Sequence, residues 1–129
     1  MSYGKRSYVE HVAVHVRDID WHVRFFRDAL GMDVRAVDGT VEAPKQVWTV
    51  GGVQLIADPA FAGPEGRLAH LGVMTDDLEA ALTEVHRWGV TTLPQGRNWV
   101  ALPDGLCVEI IQASAGAVAQ ALAVDPRAP

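Results

Sequence analysis

The chain has 129 residues, enough for one ordinary domain with a real core and too few for two large ones. It is 49% hydrophobic and 21% charged with a formal net charge of -5, which suits a globular protein and argues against nucleic-acid or anionic-membrane partners. The one cysteine, Cys107, excludes an internal disulfide, no apolar run nears the roughly 20 residues that span a bilayer, and the N-terminus lacks a signal peptide's apolar stretch, so a cytoplasmic location is expected.

The stretch "EHVAVHVRDID" predicts a first strand, with Val12, Val14 and Val16 on one face and His11, Ala13 and His15 on the other. Asp18 or Asp20 then caps a helix over about 19–30, whose apolar stripe is Trp21, Phe25, Phe26, Ala29 and Leu30. Gly31 stands where a left-handed residue closes a helix. Short strands follow at 32–37, 46–50 and 53–57, the last two joined by Gly51-Gly52, a hairpin signal. A connector at 58–68, with two prolines and two glycines, should be exposed.

The second half repeats the first. His11-Val-Ala-Val-His-Val-Arg-Asp matches His70-Leu-Gly-Val-Met-Thr-Asp-Asp, a strand that ends in acidic residues. Thr75 or Asp76 caps a helix over 78–88, with Leu78, Ala81, Leu82, Val85 and Trp88 as its stripe and Gly89 at its close. Strands are expected at 90–93, 98–102 and 106–112, with a Pro103-Asp104-Gly105 turn before the last. The reading is α+β: two βαβββ modules, at about 8–57 and 69–112, pairing into a curved mixed sheet around a cavity within a single domain. The tail at 113–129 should add a helical turn or two and then fray.

Four polar residues break apolar runs at matched places. Gln54 lies between Val53 and Leu55, and Glu109 between Val108 and Ile110, so both turn away from the helices as His11 and His70 do. Two neutral imidazoles, an amide oxygen and a carboxylate suit an octahedral divalent cation with two positions open to substrate or water. Mn, Fe, Co, Ni or Zn would fit, whereas a closed structural zinc site would want thiolates. His15, on the face of His11, is a candidate proton shuttle weighed against a plain surface residue at a strand end. Trp48 and Trp99 are candidate pocket walls, Arg97 and Asn98 candidate anion contacts, and Cys107 shares the parity of Glu109. Trp21 and Trp88 read as core, and His22 and His86 as surface residues.

The repeat, the opening "VEHVAVHVRDID" with "FFRDALGMDV", and "NWVALPDGLCVEI" together resemble the vicinal oxygen chelate superfamily over about residues 8–112. That group includes glyoxalase I, methylmalonyl-CoA epimerase, extradiol dioxygenases and fosfomycin-resistance proteins. Carried over by position, the resemblance implies His11, Gln54, His70 and Glu109 as metal ligands, with Glu109 also able to serve as a base. The His, Gln, His, Glu set is closest to that of methylmalonyl-CoA epimerase. The epimerases, however, place a further carboxylate on the strand before the glutamine, and "KQVWTV" (45–50) has none.

The implied activity is epimerisation or isomerisation of a small carbonyl or hydroxy-ketone by metal-stabilised enolisation. Alternatives are a glyoxalase I-type lyase, a single-domain extradiol dioxygenase using His11, His70 and Glu109, and a metal-free drug-binding resistance protein. The expected partner is a small-molecule substrate, and the resemblance implies a homodimer.

Overall fold

Alternating valines make the first strand, and the polar run after it ends the strand and starts a helix. In the computed structural model, which describes residues 3–30, 32–63, 65–103 and 105–124, β1 is Ser7–Val16. Helix α1, Ile19–Arg24, begins where the Asp18 carboxylate accepts from the Trp21 amide at 3.0 Å. After it come a π-helical turn at Phe25–Ala29, β2 (Val34–Gly39), β3 (Pro44–Thr49) and β4 (Val53–Ala57). The second run is β5 (Leu68–Thr75), α2 (Leu78–Val85) with a 3-10 turn at His86–Trp88, β6 (Thr91–Thr92), β7 (Trp99–Ala101), β8 (Cys107–Gln112) and α3 (Ala117–Ala123).

The chain divides into two compact units, one of residues 11–70 and one of residues 1–10 with 71–129. Strands β1 and β5 each run from one unit into the other. In the 11–70 unit the strand order is β2-β3-β4-β1, with β1 and β4 parallel and the other pairs antiparallel. In the 71–129 unit it is β6-β7-β8-β5, again with the β5/β8 pair parallel. Both halves are therefore βαβββ with mixed sheets, and the class is α+β as expected. Among the described residues, no helix is long and apolar enough to cross a membrane.

The core of the 11–70 unit is Val16, Ile19, Val47 and Leu55, with Val14, Val23, Phe26 and Val53 packed on it. Ala81, Leu82, Val100 and Ile110 play that part in the 71–129 unit, joined by Tyr3, Leu78, Val85 and Val108. Each core uses one parity of its strands. The other parity is thereby left to face away from the helix.

Several expectations change. Trp21 and Phe25 are 48% and 41% exposed and stack on each other at 5.3 Å, because α1 lasts only six residues before its winding loosens. Trp88 is 72% exposed: it falls in the 3-10 turn, where the angular spacing of a regular helix no longer applies, and its indole donates to the Glu84 carboxylate. The cap of α2 is Asp77, which accepts from the Ala80 amide at 3.1 Å, not Thr75 or Asp76. Thr75 is fully buried and bonded to the Tyr3 and Ser7 hydroxyls, so its side chain is already engaged. Gly89 closes that helix with φ 76°, in the left-handed region. Gly31, Asp104 and 125–129 lie outside the described residues.

Candidate metal centre

With Val14 and Val16 committed to the core, His11, Ala13 and His15 take the opposite face of β1. Ala13 is in register with Gln54 and His15 with Ile56, so Gln54 shares the histidine face of the sheet. His11 and His70 are the first and last residues of the 11–70 unit. Both are buried, at 5% and 8% exposure, with their Nε2 atoms 3.1 Å apart and their rings edge to face at 89°.

Burial, and then the neighbouring His11, push the His70 pKa down to about 4. His70 is therefore neutral near pH 7, the form of imidazole that ligates metals. Two nitrogens bound side by side at right angles on one ion would lie about 3 Å apart, given metal–nitrogen bonds near 2.1 Å. The observed 3.1 Å equals that spacing, and it is also the distance of a hydrogen bond between the two rings.

Gln54 is 4% exposed. Its Nε2 donates to Gln46 Oε1 at 2.5 Å, while its own Oε1 is buried and makes no hydrogen bond. A buried acceptor left so costs about 1–3 kcal/mol, and a hard or borderline cation is a partner that would remove that cost. The donor set of this unit, two imidazole nitrogens and one amide oxygen, fits a divalent metal.

Glu109 belongs to the other unit. On β8 it stands half-buried in register with Gly72 of β5, two positions beyond His70 along that strand. The pairings also sharpen the repeat: Trp48 is opposite Gln54, and Trp99 is opposite Glu109.

His15 is half-buried rather than fully open to water. Its Nδ1 is buried without a hydrogen bond and lies 3.8 Å from Asp58 Oδ2. The connector that supplies Asp58 is tied to the end of β1. The Arg67 guanidinium donates to the His15 carbonyl at 2.8 Å, the His15 amide donates to the Arg67 carbonyl at 2.9 Å, and Arg67 lies 4.5 Å over the Phe61 ring. The exposed connector of the sequence is thus partly a packed strap.

The remaining candidates separate. Trp48 and Trp99 are half-buried beside Gln54 and Glu109. Arg97 is exposed and forks onto the Glu79 carboxylate, and Asn98 donates to the Ile110 carbonyl at 2.9 Å, so both have structural partners. Cys107 is half-buried with Sγ directed to the Gly105 carbonyl at 3.7 Å. The His22 ring meets the Asp18 carbonyl, and His86 is exposed. A cavity of about 410 Å³ in the 11–70 unit lies on the helix side, lined by Val23, Val34, Val37, Val41 and Val47, and holds none of the candidate ligands.

Sequence reading passed over Gln46, Asp38 and Asp58. Strand parity was the available signal for Gln46, since it lies two residues before Trp48 and so shares its face. Residue type hid it: a strand glutamine ordinarily reads as solvated.

The glyoxalase-like domain family matches residues 11–111. The Bacillus subtilis (strain 168) protein YwbC, described as uncharacterized, is 27% identical over 121 residues, 81% of this chain and 96% of that protein. A Streptomyces coelicolor methylmalonyl-CoA epimerase variant in complex with 2-nitronate-propionyl-CoA superposes with a TM-score of 0.58 at 19% identity, over 84% of this chain and 95% of that one. The 2,3-dioxygenase LapB from Pseudomonas sp. KL28 gives a TM-score of 0.59 at 16% identity, over 82% of this chain and 42% of that one. At such identities the two structures share the fold with this chain.

Proposed function

The chain belongs to the glyoxalase-like domain family, and so to the vicinal oxygen chelate superfamily; from that premise we propose that it is a metal-dependent epimerase or isomerase acting on a small carbonyl or hydroxy-ketone substrate by enolisation. The observation that carries the proposal is the buried trio on one sheet face: His11 and His70 with Nε2 atoms 3.1 Å apart, and Gln54 with a buried, unpartnered Oε1. Glu109 is the proposed fourth ligand, as the repeat counterpart of Gln54. A bound Mn, Fe, Co, Ni or Zn ion would supply Lewis acidity, which lowers the barrier to removing a proton beside a carbonyl.

The chain's own residues do the rest. His15 is proposed to take or return the proton on carbon, because its ring lies on the His11 face of β1 with Asp58 Oδ2 3.8 Å from Nδ1. Glu109 is the second candidate base. Epimerisation needs a proton removed from one side of the carbon and one returned on the other, so two groups are required.

The runner-up readings explain less. A dioxygenase would use His11, His70 and Glu109 alone, leaving the buried Gln54 oxygen without a role. A metal-free sequestering protein would explain the close histidine pair as a ring–ring hydrogen bond but would leave the buried Gln54 oxygen without a partner. A glyoxalase I-type lyase uses a similar centre and separates by its need for a thiol adduct. A homodimer is part of the proposal, supported by the exposed Trp21, Phe25, Leu30 and Val41.

Metal analysis of the purified protein tests the core of the proposal: one divalent ion per chain is expected, lost in both His11→Ala and His70→Ala. A protein purified with no bound metal and unable to bind any would end it. His15→Ala should keep the metal while abolishing interconversion of the epimers, with solvent-deuterium exchange surviving only in the epimer served by Glu109; unchanged epimerisation removes His15 from the mechanism.

A further inference from the structure

An amide ligand has a problem that a carboxylate does not: one of its two ends repels a cation. Gln54 can serve only if its oxygen, and not its NH2, faces the metal. The strands beside it hold the answer. On β2 and β3, Asp38 is in register with Gln46, and Gln46 Nε2 donates to Asp38 Oδ2 at 3.2 Å. Gln46 lies diagonally across from Gln54, two residues along from Trp48, within the reach of a long side chain.

Polarity then passes along the row by elimination. The Asp38 carboxylate can only accept, so Gln46 must turn its NH2 to Asp38 and its oxygen toward Gln54. Gln54 in turn must present its NH2 to that oxygen, which it does at 2.5 Å. Its Oε1 is the end left over, buried and without a hydrogen bond on the histidine face.

We infer that Asp38 and Gln46 are positioning residues that lock the Gln54 amide with its carbonyl oxygen presented to a divalent cation. The inference rests on the metal-centre reading above. It also accounts for a long side chain with an acceptor oxygen at 46, because an ammonium there could not accept from Gln54 and a small side chain could not reach it.

The test is Mn2+ binding followed by titration calorimetry on the full chain. Groups that orient metal ligands are worth roughly 10–100-fold in affinity, so Gln46→Leu should weaken Mn2+ binding by about 10-fold or more while the circular dichroism spectrum stays that of the wild type. Gln46→Glu keeps an acceptor for the Gln54 NH2 and should retain binding. Where a scaffold effect lowers affinity in Gln46→Leu, Gln54→Glu separates the causes. A carboxylate at 54 has no polarity to fix, so adding Gln46→Leu to Gln54→Glu should cost nothing.

A second readout needs no metal: in the metal-free wild type, the Gln54 side-chain NH2 resonances should exchange slowly with solvent, and in Gln46→Leu rapidly. Wild-type Mn2+ affinity in Gln46→Leu, or an equal penalty in the Gln54→Glu background, would overturn the inference while leaving the metal centre standing. No Mn2+ binding by the wild type would overturn both.

Discussion

In the 11–70 unit the residue opposite Trp48 is an amide, Gln54; in the 71–129 unit the residue opposite Trp99 is a carboxylate, Glu109. Two residues before Trp48 stands Gln46, bonded to Gln54, whereas two residues before Trp99 stands Arg97, turned out to Glu79. The difference follows from chemistry. A carboxylate offers oxygen at both ends and needs no neighbour to choose between them, while an amide does. The two halves share strand order and the pairing at Gln54 and Glu109. Gln46, however, lies within β3 whereas Arg97 lies in the turn before β7, so backbone and side chain both contribute to the contrast.

The cores offer the largest test of whether the halves are matched in build. Leu55 is fully buried, and Leu55→Ala should cost about 2–5 kcal/mol in denaturant unfolding. Trp88, the last member of the stripe read from sequence in the second helix, is 72% exposed, so Trp88→Ala should stay within about 0.5 kcal/mol. A large loss from Trp88→Ala would restore it to a core and undo the distinction between stripe and burial.

The ligand contrast gives a smaller and opposite pair of effects. Gln54→Glu adds a charge to the proposed centre and should tighten Mn2+ binding, while Glu109→Gln removes one and should weaken it by about 10-fold or more, since ligand charge tunes cation affinity. Equal shifts of one sign would show that the two positions do not meet the same ion.

The weakest effect is in pH. The His70 pKa is about 4 in the folded chain against an ordinary 6.5, so the unfolded chain takes up the proton first. The stability His70 confers is whole above pH 6.5 and is lost as pH falls toward 4. Denaturation midpoints of the metal-free protein should therefore decline over that window, and the decline should be shallower in His70→Asn. A histidine signal for residue 70 titrating at 6.5 would contradict the assignment.

Sequence carried the repeat because alternation and the acidic cap survive in both halves, and with it the places of His11, Gln54, His70 and Glu109. It misplaced the cap of α2, where Thr75, Asp76 and Asp77 are all capable and only the backbone path selects Asp77. It also overextended the stripes of both helices, since neither the loosening at Phe25–Ala29 nor the tightening at His86–Trp88 leaves a mark in hydrophobic spacing. The relay through Gln46 was invisible for a different reason. Its meaning depends on a diagonal across two strands, and no single strand contains it.

The closeness of His11 and His70 has a consequence for folding. They lie 59 positions apart in sequence, at the two ends of one unit, with ring nitrogens 3.1 Å apart. A ligand bridging them would close a covalent-like loop around the whole segment. By the chain-entropy relation for cross-links, a loop of that length is worth roughly 4 kcal/mol against the unfolded state. The same ion proposed to serve the chemistry would thus act as a clasp, and a chelator would lower the melting temperature of the 11–70 segment even in a variant with no activity to lose.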